Sequence, residues 1–226
     1  MKKLFYLFII ISIWACEGTP EDPPPTPNQY IECNKLLLSC NNTGDYCLFG
    51  YKWGEGTDFE NRGTNVAGPK EGGGIVSYSF QEKAGFVSNH RQIDVPTQSF
   101  DKLPGCAKNI IKSAFEDWAE VANIQFEELE DDSDSDIKIF VAPVTTCGNG
   151  YPNYGSGICA ELSGHIILSP NYTTNCDIFR SYVLHELGHT LGLGHSSSEN
   201  VMGSINTNLN GLRFGDIKGI REIYGE

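Results

Sequence analysis

The sequence predicts an α+β domain in which a run of short strands precedes a histidine-bearing helix. Three observations predict it. Apolar and polar residues alternate over 75–80, apolar residues recur at three- and four-residue spacing over 107–122, and a second helical stretch, 178–191, runs up to a glycine.

Ile75-Val76-Ser77-Tyr78-Ser79-Phe80 alternates as a half-buried strand should. Ala107, Ile110, Ile111, Ala114, Phe115, Trp118 and Val121 fall on one face of a helix. Ile124-Gln125-Phe126 and Ile137 to Val141 supply strands on either side of an acidic loop carrying Asp131, Asp132, Asp134 and Asp136. The glycine-rich stretch 148–157 reads as a loop, and His165 to Leu168 as a strand closed by Ser169-Pro170-Asn171. The helix over 178–191 stops at Gly192, a residue suited to the left-handed conformation of a helix end. A last helix, 216–224, buries Ile217, Ile220 and Ile223, with Asp216 placed to cap its first turn.

At 226 residues and 39% hydrophobic content, the chain accommodates one compact domain plus a leader and a linker. A net charge of −13 with only 16 Lys and Arg argues against nucleic acid, whose binders need a clustered basic face. Lys2 and Lys3, the apolar run Leu4 to Trp14, and Ala15 before Cys16 have the layout of an export signal over 1–15, too short to span a membrane. Ile13-Trp14-Ala15-Cys16 resembles a bacterial lipobox, which would make Cys16 the lipidated first residue of an envelope- or surface-anchored protein, at the outer membrane for instance; ordinary signal cleavage nearby is the alternative. Residues 16–30, with five prolines, read as an extended acidic tether. Residues 31–45 form a cysteine-containing segment before the domain proper, 46–226, and 31–74 as a whole reads as irregular and stapled by disulfides. Setting Cys16 aside leaves seven cysteines, an odd number whose connectivity the sequence does not determine.

Residues 185–195 read HELGHTLGLGH. His185 and His189 are four residues apart, hence about 40° apart around a helix, so both imidazoles can reach one ion. His195 comes too far along for a straight helix, and Gly192 is where the chain can turn to bring it back. Three neutral histidines leave a tetrahedral zinc one open position, the arrangement of a catalytic rather than a closed structural site. Glu186 points away from the shared ligand direction and is the candidate general base, taking a proton from water as it attacks a peptide carbonyl.

This stretch resembles the metzincin signature, and Ser196 after the last histidine resembles the matrixins, the matrix-metalloproteinase branch; astacins carry Glu there, adamalysins Asp and serralysins Pro. Ala114 to Trp118 with Ile124 to Phe126, Ser135 to Ile139, and Asp216 to Gly225 are similar to that family's first helix, following strands and closing helix. The resemblance implies a zincin-like catalytic domain with a twisted, mostly parallel sheet, an antiparallel edge strand, an active-site helix and a C-terminal helix. It implies a zinc-dependent endopeptidase acting on protein or peptide substrates, a methionine turn at Met202 beneath the metal, and a monomer. A peptide substrate would lie along an edge strand, with Gly157–Glu161 as the segment beside the zinc. Gly203-Ser204 replaces the family's usual continuation after the methionine. The family's second zinc is not carried over, because only His90 and His165 remain as histidines. Its calcium loop resembles 148–157, which admits Ca2+ there without requiring it; the acidic run 131–136 is by composition more often a solvated loop. Two other readings stand beside the enzyme: a surface binding or adhesion module that keeps zinc for stability alone, and metal hydrolysis of a non-peptide bond.

Overall fold

The computed structural model describes residues 44–48, 52–53, 72–88, 94–144, 148–154, 162–171, 175–197, 199–203 and 209–226. The expected leader, Cys16, tether, Cys33 and Cys40, together with His90 and the segment Gly157–Glu161, lie outside the described residues.

The described strands are β1 (Cys47–Leu48), β2 (Ile75–Phe80), β3 (Phe86–Ser88), β4 (Asp94–Pro96), β5 (Gln125–Glu128), β6 (Ile137–Val141), β7 (Gly148–Tyr154), β8 (Leu162–Leu168) and β9 (Leu193–Gly194). The described helices are α1 (Ala107–Val121), α2 (Cys176–Thr190) and α3 (Phe214–Tyr224). The main sheet has the order β5-β2-β6-β8-β7. Its first three pairings are parallel and β7 runs antiparallel to β8 at the edge, the mostly parallel α+β architecture expected.

Burial explains this order. Ile137, Ile139 and Val141 of β6 and Ile166, Ile167 and Leu168 of β8 are all buried, the near-continuous apolar runs that central parallel strands need. Across β2, Tyr78 stacks on Phe115 of α1 with ring centroids 4.0 Å apart. Trp118, fully buried on the same face of α1, donates its indole N–H to the Leu184 carbonyl of α2 at 3.3 Å. The apolar stripe on α1 thus sits between the sheet and α2. A disulfide from Cys106, the residue before α1, to Cys176, the first residue of α2, joins the starts of the two helices. Cys47 is disulfide-bonded as well, and no cysteine is free among the described residues.

Three expectations need correction. Gly148–Tyr154, read as part of a loop, is the edge strand: its full length pairs with β8, from Gly148 opposite Leu168 to Tyr154 opposite Leu162. A glycine-rich strand with a proline is tolerated there because an edge needs a ladder on one side only. The helix expected over 178–191 runs Cys176–Thr190, since the Asn175 side chain accepts the Ile178 N–H at 2.9 Å and caps it earlier. The last helix, expected from Asp216, starts two residues earlier, and Asp216 caps its first turn from inside it. The helix begins at Phe214, and Asp216 lies in its first turn, accepting the Arg213 N–H at 2.8 Å.

The residues before β2, expected to be irregular, include a strand. Cys47 and Leu48 pair antiparallel with Gly194 and Leu193. Trp53 donates its indole N–H to Thr190 O at 3.0 Å, and buried Lys52 donates Nζ to Ile223 O at 3.1 Å, 5.2 Å from the Tyr224 ring centre. This segment packs where α2 ends and α3 finishes. No described helix is long and apolar enough to cross a membrane.

Candidate metal centre

α2 carries His185 and His189 one turn apart, then unwinds. Leu191 donates its N–H to both Leu187 O and Gly188 O, and Gly192 follows with φ 104°, a left-handed conformation that costs glycine little. The chain turns through it into β9, which delivers His195. The three Nε2 atoms then stand 3.1 Å (His185 to His195), 3.1 Å (His189 to His185) and 3.2 Å (His189 to His195) apart.

These contacts are not hydrogen bonds between imidazoles. His185 Nδ1 lies 2.7 Å from Val201 O, and His189 Nδ1 lies 2.8 Å from Leu193 O. A carbonyl oxygen only accepts, so each Nδ1 carries the proton and each Nε2 presents a lone pair. Burial, reinforced by neighbouring His185 and His195, holds His189 well below the usual imidazole range near 6.5, so it is neutral. Converging lone pairs repel unless a cation lies between them. Four tetrahedral nitrogens at about 2.0–2.1 Å from zinc stand about 3.3–3.4 Å apart, close to the observed triangle. Carbonyl acceptors behind the rings are the usual means of fixing ligand tautomer and orientation. The donor set therefore fits zinc, and the three histidines could hold such an ion.

Glu186 follows His185 on α2 and is 8% exposed, its carboxylate largely withdrawn from bulk water. His189 is buried, and His185 and His195 are half-buried. Met202 is buried beneath α2, its sulfur against Gly188 and its carbonyl accepting the Ser196 N–H at 2.8 Å.

Residues with no role at this site legible in the sequence hold its floor in place. Asp216, 1% exposed, accepts the N–H groups of Val201 at 2.9 Å and Met202 at 3.0 Å. The Val201 carbonyl in turn takes the His185 proton, so α3 reaches a metal-facing ring through two hydrogen bonds. Gly188 had a visible signal, since it lies inside HELGH, but nothing in the sequence showed that Met202 fills the space beside it.

The acidic run is spent on the protein itself. Asp131 pairs with Lys108, Asp134 with Lys138, Asp132 accepts the Glu82 and Lys83 N–H groups, and Asp136 accepts from Ser77. His165 lies in β8, beside Phe140 and away from the three-histidine group, and burial pushes its pKa down to about 4.

Comparison with known proteins agrees with this geometry. The family described as Matrixin matches residues 94–225. Metalloendoproteinase 1 of Glycine max is 33% identical over 147 residues, 55% of this chain and 47% of its own length. Metalloendoproteinase 1-MMP of Arabidopsis thaliana is 29% identical over 142 residues, 52% of this chain and 38% of its length. Matrix metalloproteinase-23 of Mus musculus is 27% identical over 142 residues, 51% of this chain and 36% of its length. The chain thus spans about half the length, or less, of these curated relatives.

Proposed function

Because the chain belongs to the matrixin family, a zinc-dependent family, we propose that it is a zinc-dependent endopeptidase that hydrolyses peptide bonds in protein substrates. The observation that carries this reading is the convergence of three Nε2 atoms, each pair 3.1–3.2 Å apart, two of them left unprotonated by carbonyl contacts at Nδ1, beside Glu186 on the helix that carries His185 and His189.

In this reading His185, His189 and His195 hold the ion and Glu186 is the general base. Zinc held there would acidify a water molecule and polarise the scissile carbonyl. Glu186 accepts the proton as the peptide is attacked and returns it to the departing amine. Its low exposure keeps competing bulk water away, which strengthens its hydrogen bond to the reacting groups. The Val201 and Leu193 carbonyls hold two of the rings in register. Met202 and Gly192 serve the site structurally, one packing beneath α2 and the other turning the chain. A substrate in extended conformation would add to β7, the edge strand of the sheet among the described residues, on the side away from β8, with the backbone ladder supplying affinity. The composition of residues 2–16 supports export and lipid anchoring at Cys16 of the cell envelope or surface.

The test is to incubate the zinc-loaded chain with a proteome-derived peptide library, with and without chelator, beside Glu186→Ala. Chelator should abolish cleavage. The variant should keep zinc while losing at least about a hundredfold in rate, at the lower end for a positioned general base. Equal cutting by the variant, or cuts that persist in chelator, would overturn the mechanism. Zinc binding and metal-dependent folding with no turnover of the peptides or of a panel of small amides and esters would support the adhesion-module alternative, and turnover of that panel alone would support hydrolysis of a non-peptide bond.

A further inference from the structure

The loop that carries the third histidine is closed on itself. Ser196 bridges Gly203 in parallel register, Ser196 N–H donates to Met202 O at 2.8 Å, Gly203 N–H to Asn200 O at 3.0 Å, and Asn200 N–H to Ser197 O at 3.2 Å. Such a loop is internally consistent, yet it could move as a body and take His195 with it. Asp216 holds its Val201 and Met202 N–H groups from α3, and one side chain of the loop itself adds ties to Asp45 and Gly215.

Asn200 is 5% exposed, and its amide is bonded on both ends. Nδ2 donates to the Asp45 carbonyl at 2.8 Å and to Ser197 Oγ at 3.1 Å, and Oδ1 accepts the Gly215 N–H at 3.0 Å. Asp45 lies two residues before β1, and Gly215 is in the first turn of α3. One amide therefore ties the loop at once to the segment preceding the domain sheet and to the closing helix. The close approach is built in. A Cβ on Gly215 would overlap the Asp45 carbonyl and stand 2.5 Å from Asn200 Nδ2, so only glycine lets the three segments meet. A second backbone bond, Ser197 N–H to Gly44 O at 3.0 Å, runs the same way.

We propose that Asn200 is a positioning residue for the metal centre: through the 195–203 loop it holds His195 at the distance from His185 and His189 that a zinc ion requires. The inference rests on the reading of these three histidines as zinc ligands. It extends that reading to a residue that touches neither metal nor substrate. A buried amide whose bonds converge from three separate segments is suited to this work. Losing it leaves the buried Gly215 N–H and the part-buried Asp45 carbonyl without this partner and loosens the loop against the segment before β1. Partners that orient a metal ligand typically govern metal affinity by about ten- to a hundredfold when removed.

The experiment uses the full chain, wild type against Asn200→Ala and Asn200→Asp, the latter keeping the side chain's size and an acceptor for Gly215 while removing the donor to Asp45. Zinc release is followed with a chromogenic chelator on protein shown by far-ultraviolet circular dichroism to be folded, and the cobalt-substituted forms are compared by visible absorption. Both variants should release zinc at least about tenfold faster and show altered cobalt bands. A purely structural role would lower the melting point of metal-free protein and leave release from folded protein unchanged. Release within twofold of wild type in either folded variant overturns the proposal. Failure of wild type to bind zinc would instead overturn the endopeptidase reading, so the two failures are distinct.

Discussion

Gly188 shows how tightly single residues constrain the site. It lies one position before His189, and any Cβ there would overlap the Met202 sulfur and approach the Trp118 ring at 3.1 Å. Gly188→Ala should therefore cost about 1–3 kcal/mol by overpacking, measured as a lower urea midpoint, and should weaken zinc binding because Met202 must move. An unchanged midpoint would show that the floor can relax. At this scale the sequence was legible where chemistry is local. His185, Glu186, His189 and the turn at Gly192 follow from helical spacing and glycine's access to positive φ. Asn200 and Asp216 were not legible in these roles. Their partners lie 155 positions away at Asp45 and 14 or 15 away at Met202 and Val201, and no periodicity encodes such a meeting. Lys52 was hidden for the same reason, since a buried lysine is explained only by the Ile223 carbonyl 171 positions on.

Among the elements, α1 could be read from the sequence because it buries one face with the matching period, and β2 because its apolar Val76, Tyr78 and Phe80 are buried at alternate positions, although Ser79 between them is buried too. β7 could not, for its glycines and proline obey loop statistics while its backbone ladder to β8 makes it a strand. The ends of α2 and α3 were displaced by caps: Asn175 starts one helix early, and Asp216 acts inside the first turn of the other. The Cys106–Cys176 bridge joins the starts of α1 and α2 across a separation of 70 residues. A loop of that size is worth about 4 kcal/mol of chain entropy in the unfolded state. A Cys106→Ser, Cys176→Ser double variant should lose about that amount, seen as a shifted denaturant midpoint without reductant, and reducing conditions, which also break the bridge at Cys47, should lower the stability of wild type by at least as much. If reductant moves the wild type but the double variant matches the oxidised wild type, the stabilisation belongs to another bridge.

Across the whole molecule, His165 links stability to acidity. Burial, and then Lys138, depress its pKa from 6.5 to about 4. As pH falls below 6.5 the unfolded chain takes up this proton first, so folded stability declines between about pH 6.5 and pH 4 and is intact above that window. One histidine shifted by this much accounts for up to about 3 kcal/mol. Denaturant titrations of His165→Gln at pH 7 and pH 4.5 should show a smaller loss between the two than wild type shows. An identical loss would place the acid sensitivity elsewhere.

The pairing of β1 with β9 also sets a timetable. Cys47 meets Gly194, 147 positions further along the chain. At a synthesis rate of roughly 5–20 residues per second, the early strand waits roughly 7–30 seconds for its partner. The bonds from Asp45 to Asn200 and from Lys52 to Ile223 wait longer still. The nascent chain therefore carries His185 and His189 before it can seat His195, and competence to retain a metal arrives together with closure of residues 45–53 onto β9, Asn200 and α3. Assembly of the three-histidine group and completion of folding become a single event, so the group is not formed while the polypeptide is still being made.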